Sequence, residues 1–393
     1  MGEPVNALRV GLVGAGNISG QYLDTLARTP HLRMTAVTDL DPARAAQAAA
    51  GTGAAVVGSV TELLARDDVD AVLNLTVPAA HAEVALAAIA AGKHVYGEKP
   101  LAATREEAAA VLAAARAAGV RVGCAPDTVL GTGIQTARRA VDDGLIGTPV
   151  AATAFMTTAG HESWHPDPEF YYRPGGGPLL DMGPYYLSAL VHLLGPVTAV
   201  TGAATAPRTE REIGSGPRAG QRFPVEVDTH VTGILRHEGG ALSTLVMSFD
   251  VHAARLPRIE VYGTQGSLSV PDPNHFDGEV ERYAPDRREW EALPVSAGYP
   301  GAGRGTGLAD LADALATGRP HRASAELAAH VLDVMLTLLD SAHAGGTLPV
   351  TGCPRPAPVD LPATDAPTAH VPAARAASAD GEQERGVLSA EPA

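Results

Sequence analysis

The run from Leu8 to Gly20, Leu-Arg-Val-Gly-Leu-Val-Gly14-Ala-Gly16-Asn17-Ile18-Ser-Gly, constrains the fold of this 393-residue chain more than any other segment. A short apolar strand passes directly into a glycine turn and then into an amphipathic helix through Ala27. Strand, tight turn and helix in that order open a crossover unit, which brings the next strand back parallel to the first. Gly14 permits the turn, and Gly16 lets the backbone approach a pyrophosphate that the helix amides at Asn17 and Ile18, with the dipole behind them, would hold. Ser19 stands where the full dinucleotide fingerprint has Gly or Ala, so the match is incomplete.

Leu32 to Thr38 reads as the second strand, ended by Asp39 about twenty residues beyond the glycines. A carboxylate there accepts hydrogen bonds from the adenosine ribose and repels a 2′-phosphate, which favours NAD and leaves NADP possible. Asp39 could equally be a turn residue before the Asp41-Pro42 cap of the next helix. Strands at 54–57, 70–77, 93–97 and 120–124 alternate with helices at 61–66, 81–91 and 104–118, the pattern of a doubly wound parallel sheet over residues 1–126. Thr76, Pro78 and His81 fall at the end of the fourth strand, facing the cofactor crevice, where His81 could also simply cap or pack.

Composition matters most at the fifth strand. Of the 29 Lys and Arg residues only Lys93 and Lys99 are lysines, both between Ala91 and Leu101. An ammonium can lose its proton near neutral pH when desolvated or set beside another cation, and guanidinium cannot. Lys99 is therefore a candidate acid/base, with a pKa expected to be depressed beside a cationic nicotinamide ring. Glu98-Lys99-Pro100 sits at the carboxyl edge of the strand, where open parallel sheets bind ligands. A solvated Glu98–Lys99 pair is the plain alternative.

A helix over 131–144 leads to a second region, 127–350. Seven of the sixteen aromatic residues lie between Phe155 and Tyr186, marking a local core, a sugar-facing wall, or both. His161-Glu162-Ser-Trp164-His165 spells the zinc-hydrolase pattern HExxH. With Gly160 before it and Pro166 and Pro168 after it, a helix there is disfavoured, so no metal is expected; a loop over the pocket, with His161, Trp164 or His165 reaching substrate, is. Asp181 and Tyr185 are spaced i,i+4 at the start of an apolar helix and share a face, with Tyr186 beside them as a further substrate contact. Capping by Asp181 and core packing by Tyr185 is the structural alternative. Strand patterns at 197–204, 228–236, 241–250, 258–262 and 267–270 suggest an antiparallel meander, Pro207 to Pro224 a polar loop, and helices at 308–316 and 323–344 pack back on the first domain. Residues 351–393, rich in Pro and Ala, are expected to form a disordered tail.

Gly14-Ala-Gly16-Asn-Ile, Val-Thr-Asp39, Thr76-Val-Pro78 with His81, Ala91-Gly-Lys-His-Val and Glu98-Lys99-Pro100, in this order, resemble the glucose-fructose oxidoreductase / inositol dehydrogenase / MocA (Gfo/Idh/MocA) family. The resemblance implies a Rossmann domain, an α+β domain with a large open, mostly antiparallel sheet, and NAD(P)-dependent redox chemistry at a sugar or cyclitol carbon. It also implies that Lys99 contacts the reacting hydroxyl and that Asp181 and Tyr185 match an Asp-x-x-x-His pair, with Tyr in place of His as in the glucose-fructose oxidoreductase branch. A homodimer or homotetramer is implied too. Two rivals remain open: a retained cofactor with no net redox change, and a non-catalytic NAD-sensing regulator.

A net charge of −15 without a Lys/Arg block argues against nucleic acid or anionic membranes as partners. Cys124 and Cys353, the only cysteines, exclude a disulfide framework and suit a reducing compartment. Met1 to Leu8 lacks an apolar signal region and no uncharged apolar run spans a membrane, so the protein is expected to be cytoplasmic.

Overall fold

A computed structural model describes residues 7–362. Six parallel strands, β1 (Leu8–Val13), β2 (Leu32–Thr38), β3 (Ala55–Val56), β4 (Ala71–Asn74), β5 (His94–Gly97) and β6 (Val122–Cys124), form one sheet in the order β3-β2-β1-β4-β5-β6. Helices α1 (Ser19–Arg28), α2 (Pro42–Ala49), α3 (Val60–Leu64), α4 (His81–Ala90) and α5 (Arg105–Ala118) make the crossovers. Local chemistry fixes their ends. Asp41 caps α2 by accepting from the Ala43 amide, Thr104 caps α5, and Gly119 closes α5 in the left-handed region. Strand order reverses between β1 and β4, which opens the crevice above their carboxyl ends.

Helix α6 (Thr132–Asp142) leads into the second sheet. Its strands are β7 (Pro149–Thr157), β8 (Val197–Thr205), β11 (His230–His237), β12 (Leu242–Ser248), β13 (Ile259–Gly263), β14 (Gly266–Val270), β15 (Glu281–Ala284), β16 (Glu289–Ala292) and β17 (Thr347–Pro349). They run in the order β16-β15-β14-β13-β7-β12-β11-β8-β17. The expected meander needs one correction: β12 pairs with β7 in parallel, while the other neighbours are antiparallel. The long excursion through α7 (Pro178–Leu194), β8 and β11 returns the chain beside β7 in the same direction. Helix α7 and helix α9 (Ala325–Ala344) cover one face of this sheet. The other face leaves Ile234 and Leu242 about half exposed, at 50% and 45%.

The segment read as a polar loop, 207–224, is corrected as well. It contains the ribbon β9 (Glu210–Glu212) and β10 (Arg222–Pro224), and carries Arg211 into the interior, 3% exposed. Helix α8 (Thr306–Thr317) lies against β6, and α9 is tied to α5 where Arg105 reaches Asp333, Thr337 and Asp340. Among the described residues α9 alone is long and apolar enough to cross a membrane; here half of that stretch is buried inside the protein.

The expected tail begins too early. Residues 351–361 belong to the body: Val359 is buried and takes Gln135 Oε1 on its amide, and Arg355 donates to the His192 carbonyl. Residues 363–393, and the first six residues on which the signal-peptide expectation rests, lie outside the described residues.

Candidate active site

The glycine turn has the form a dinucleotide cradle requires. Gly14 has φ +88°, and a Cβ there would meet the Leu75 backbone at 2.8 Å, so only glycine fits. Nothing lies within 4 Å of where a Gly16 side chain would begin, leaving that backbone open to a ligand at the start of α1. Asp39 stands beside the turn. Its Oδ2 accepts from the Ala15 amide at 2.6 Å and its Oδ1 from the Asp41 amide at 2.7 Å. Each oxygen keeps a second lone pair, so the ring-closing role and a ribose contact are compatible. These residues fit NAD.

At the end of β4, Thr76 donates to Asn74 Oδ1 at 2.7 Å, and Pro78 is exposed on the short turn that follows. His81 is buried, its ring spanning the Pro100 carbonyl (2.6 Å) and the Thr76 carbonyl (3.0 Å). It thus fastens the end of β4 to the turn after β5 and takes the packing alternative left open for it. Glu98 is held the same way: Oε1 accepts from the buried Tyr22 hydroxyl at 2.7 Å, and Oε2 from the Lys99 amide at 3.0 Å.

Lys99 crosses to the second sheet's side. Its ammonium donates to the main-chain oxygen of Asp181 at 2.8 Å and to Oδ1 at 3.1 Å, and lies 5.4 Å from the Tyr185 ring centroid. The i,i+4 spacing on α7 therefore brings Asp181 and Tyr185 to one ammonium. Burial alone would lower the Lys99 pKa, but Asp181, Tyr185 and Glu98 together raise it above its ordinary value. The protein's own anionic and phenolic neighbours thus act in the direction opposite to the depression expected beside a cationic nicotinamide ring, and they favour an ammonium, suited to donate and to stabilise negative charge. Burial would raise the Asp181 carboxyl, yet Lys99 and His161 hold it below the usual range. Tyr185 is pushed up by burial against the opposing pull of Lys99 and Arg304.

His161, one of the three loop residues expected to reach substrate, turns to Asp181. Its Nε2 donates to Asp181 Oδ2 at 3.0 Å, and its ring meets Tyr171 at 4.4 Å between centroids. The HExxH stretch is a short 3₁₀ turn whose members take separate partners. Glu162 accepts from Arg211 at 2.6 Å and from Tyr172, while His165 Nδ1 accepts the Asp167 amide at 3.0 Å. Trp164 is 57% exposed and, with Phe170 and half-buried Tyr171, builds an aromatic wall beside His161. Tyr186 does not belong to it. One position beyond Tyr185 turns the side chain about 100° round the helix, and Tyr186 is fully buried near Asp272 and Arg258, so its expected substrate contact is withdrawn. Arg304, just before α8, was missed: its guanidinium carbon lies 5.1 Å from the Tyr185 ring centroid.

The chain can be compared with known proteins. Residues 8–125 match the model of an oxidoreductase family with an NAD-binding Rossmann fold, and residues 134–269 match the GFO/IDH/MocA C-terminal domain. The chain is 32% identical to dTDP-3,4-didehydro-2,6-dideoxy-alpha-D-glucose 3-reductase of Streptomyces antibioticus, over 75% of this chain and 86% of that one. It is likewise 32% identical to 1,5-anhydro-D-fructose reductase of Ensifer adhaerens, over 66% and 74% of the two chains. Among solved structures, an NAD binding oxidoreductase from Klebsiella pneumoniae matches with a TM-score of 0.77 at 26% identity, covering 88% of this chain and 100% of that one.

Proposed function

This chain belongs to the GFO/IDH/MocA oxidoreductase family, an NAD-binding enzyme family that acts on sugars, and from that premise we propose that it transfers hydride between nicotinamide and a secondary alcohol carbon of a sugar, glycoside or cyclitol. The observation that carries the proposal is the meeting of Lys99, from the nucleotide-binding half, with Asp181 and Tyr185, from the second half. Residues 1–126 hold the cofactor and residues 127–350 present the substrate.

Gly14, Gly16, Asn17 and Ile18 receive the pyrophosphate and Asp39 the adenosine ribose; Thr76, Pro78 and Glu98 shape the crevice toward the reacting end. NAD supplies or accepts the hydride there. Tyr185, whose hydroxyl makes no hydrogen bond among the described residues, gives its proton to the carbonyl oxygen in reduction and takes it back in oxidation. Lys99 places positive charge beside both that oxygen and the phenol, and Asp181, itself held by His161, aims the ammonium. Trp164 and His165, with Tyr171, offer aromatic faces to the C–H face of a pyranose. The second sheet's uncovered face, with Ile234 and Leu242, is the surface for a homodimer or homotetramer, and two free thiols fit a cytoplasmic enzyme.

A panel of keto-sugars, anhydroketoses and cyclitols with NADH, NADPH and their oxidised forms, followed by nicotinamide absorbance, tests the reading. Turnover of at least one sugar, lost in Tyr185→Phe, is expected. NAD binding with no turnover across the panel would overturn it.

A further inference from the structure

Arg304 balances two acids, Asp127 and Glu98, and also faces the Tyr185 ring. It is half-buried in the Gly303-Arg304-Gly305 bend before α8, and among the described residues it touches no carboxylate. The two acids nearest in charge take their hydrogen bonds from other groups, and Asp127 Oδ1 takes none among the described residues. Asp127, fully buried after β6, spends one oxygen on the amides of Gly305 (2.8 Å) and Gly307 (3.0 Å), and Glu98 is taken by Tyr22 and the Lys99 amide. Burial works against the guanidinium, and the charges around it, Tyr185 first and then Asp127 and Glu98, more than offset that cost without touching it.

That bend is built to aim the side chain. Gly305 has φ +100°, a conformation side chains disfavour, and Asp127 clamps its amide. Arg304 then donates from Nη2 to Asn274 Oδ1 at 2.9 Å and lies 5.8 Å from the Phe276 ring centroid. Held on both sides, the guanidinium faces the Tyr185 ring at 5.1 Å, while Lys99 stands 5.4 Å from the same centroid. A phenol that hands over its proton becomes an anion, and two fixed cations beside it stabilise that anion more than they stabilise the neutral ring.

We propose that Arg304 is a positioning residue for proton transfer, the second of two cations that make the Tyr185 phenolate accessible during turnover. The proposal rests on Tyr185 being the proton donor. In reduction the Tyr185 O–H bond breaks, its proton goes to the substrate oxygen as that carbon gains hydride, and the phenolate is held between Lys99 and Arg304 until a proton returns from solvent. The charged or titratable groups facing Tyr185 are Lys99 and Glu98 from the end of β5, Asp181 on its own helix, Tyr171 from the turn before α7, and Arg304. Of these only Lys99 and Arg304 favour the anion.

A fluorinated tyrosine in place of Tyr185, whose phenol ionises near neutral pH, reports the effect without any substrate. Its phenolate absorbance is titrated in the otherwise native protein and in the Arg304→Gln, Arg304→Lys and Asn274→Ala backgrounds. Arg304→Gln should raise the titration midpoint by about one pH unit. Arg304→Lys should restore most of that shift, and Asn274→Ala, which frees one support, should give an intermediate value. With the natural tyrosine, Arg304→Gln should lower kcat about tenfold and leave NADH affinity unchanged. Superimposable titrations of the native and Arg304→Gln proteins would overturn the proposal. If Arg304→Gln does not fold, an unshifted Asn274→Ala titration would do the same. Unimpaired reduction by Tyr185→Phe would instead overturn the proton-donor reading while leaving the titration result in place.

Discussion

Lys99 Nζ donates at once to the main-chain oxygen and to Oδ1 of Asp181, at 2.8 and 3.1 Å, so one side chain fastens the end of β5 to the first turn of α7. Asp181 turns its other oxygen to His161 at 3.0 Å. The carboxylate is thus shared by an ammonium and an imidazole, and its removal takes the His161 contact and one of the two that hold Lys99.

Asp181→Asn keeps the main-chain contact to Lys99 and removes the charge. Lys99 is raised against the lowering effect of burial by Asp181 first, so its pKa should fall in the variant. The alkaline limb of the kcat profile should then move to lower pH, with kcat at neutral pH down roughly 10–100-fold. A limb in the same place as in the native enzyme would remove Asp181 from Lys99's control.

Acid should destabilise the fold through two buried histidines. His237 donates from Nδ1 to the Gly195 carbonyl and accepts the Ser243 hydroxyl on Nε2, both at 2.7 Å, and burial pushes its pKa down to about 4. Burial beside Arg138 and Arg355 lowers His192 to about 3. In the unfolded chain both protonate near pH 6.5, so the unfolded state binds more protons below that value and stability falls as pH drops toward 4. Urea midpoints at pH 7, 5.5 and 4.5 should show the loss, of order 2–3 kcal/mol per histidine. The slope should flatten in His237→Gln.

Asp39 should set cofactor preference. NADH should be favoured over NADPH, and Asp39→Ser should narrow the ratio of kcat/KM values at least tenfold by removing repulsion of the 2′-phosphate. Because Asp39 also holds the Ala15 amide, the variant should bind NADH more weakly as well. An unchanged ratio would confine Asp39 to the turn.

Arg211 is the counter-charge for Glu162 and Asp250 beneath the wall that carries His161 and Trp164. Arg211→Met leaves both carboxylates buried without a cation and should cost about 3–5 kcal/mol, measured by chemical unfolding. In protein that remains folded, substrate KM should rise while NADH affinity is unchanged.

Much of the nucleotide-binding half was legible because its signals are local. Glycines between strand and helix, Asp39 at a strand end and Lys99 before Pro100 each declare themselves within a few residues. The second half depends on contacts that sequence spacing does not encode. Nothing near β12 announces a parallel partner in β7, and Arg211 in a polar stretch gives no sign that it turns inward. Tyr185 and Tyr186 are adjacent and chemically alike, so only the helix rotation separates the ring beside Lys99 from the fully buried one. His161 was visible but shared a motif with three neighbours, and Arg304 lay in a glycine-rich bend far along the chain, with no periodic element to place it beside Tyr185.

Lys99→Met decides whether the shared ammonium performs the chemistry. Lys93→Met serves as the control, since Lys93 only donates to the Arg66 carbonyl. NADH binding followed by nicotinamide fluorescence and single-turnover reduction followed by absorbance are measured on both proteins. Lys99→Met should bind NADH nearly as the native enzyme does and consume it at least about 10³-fold more slowly, with Lys93→Met unaffected. Native-rate consumption by Lys99→Met would contradict the assignment.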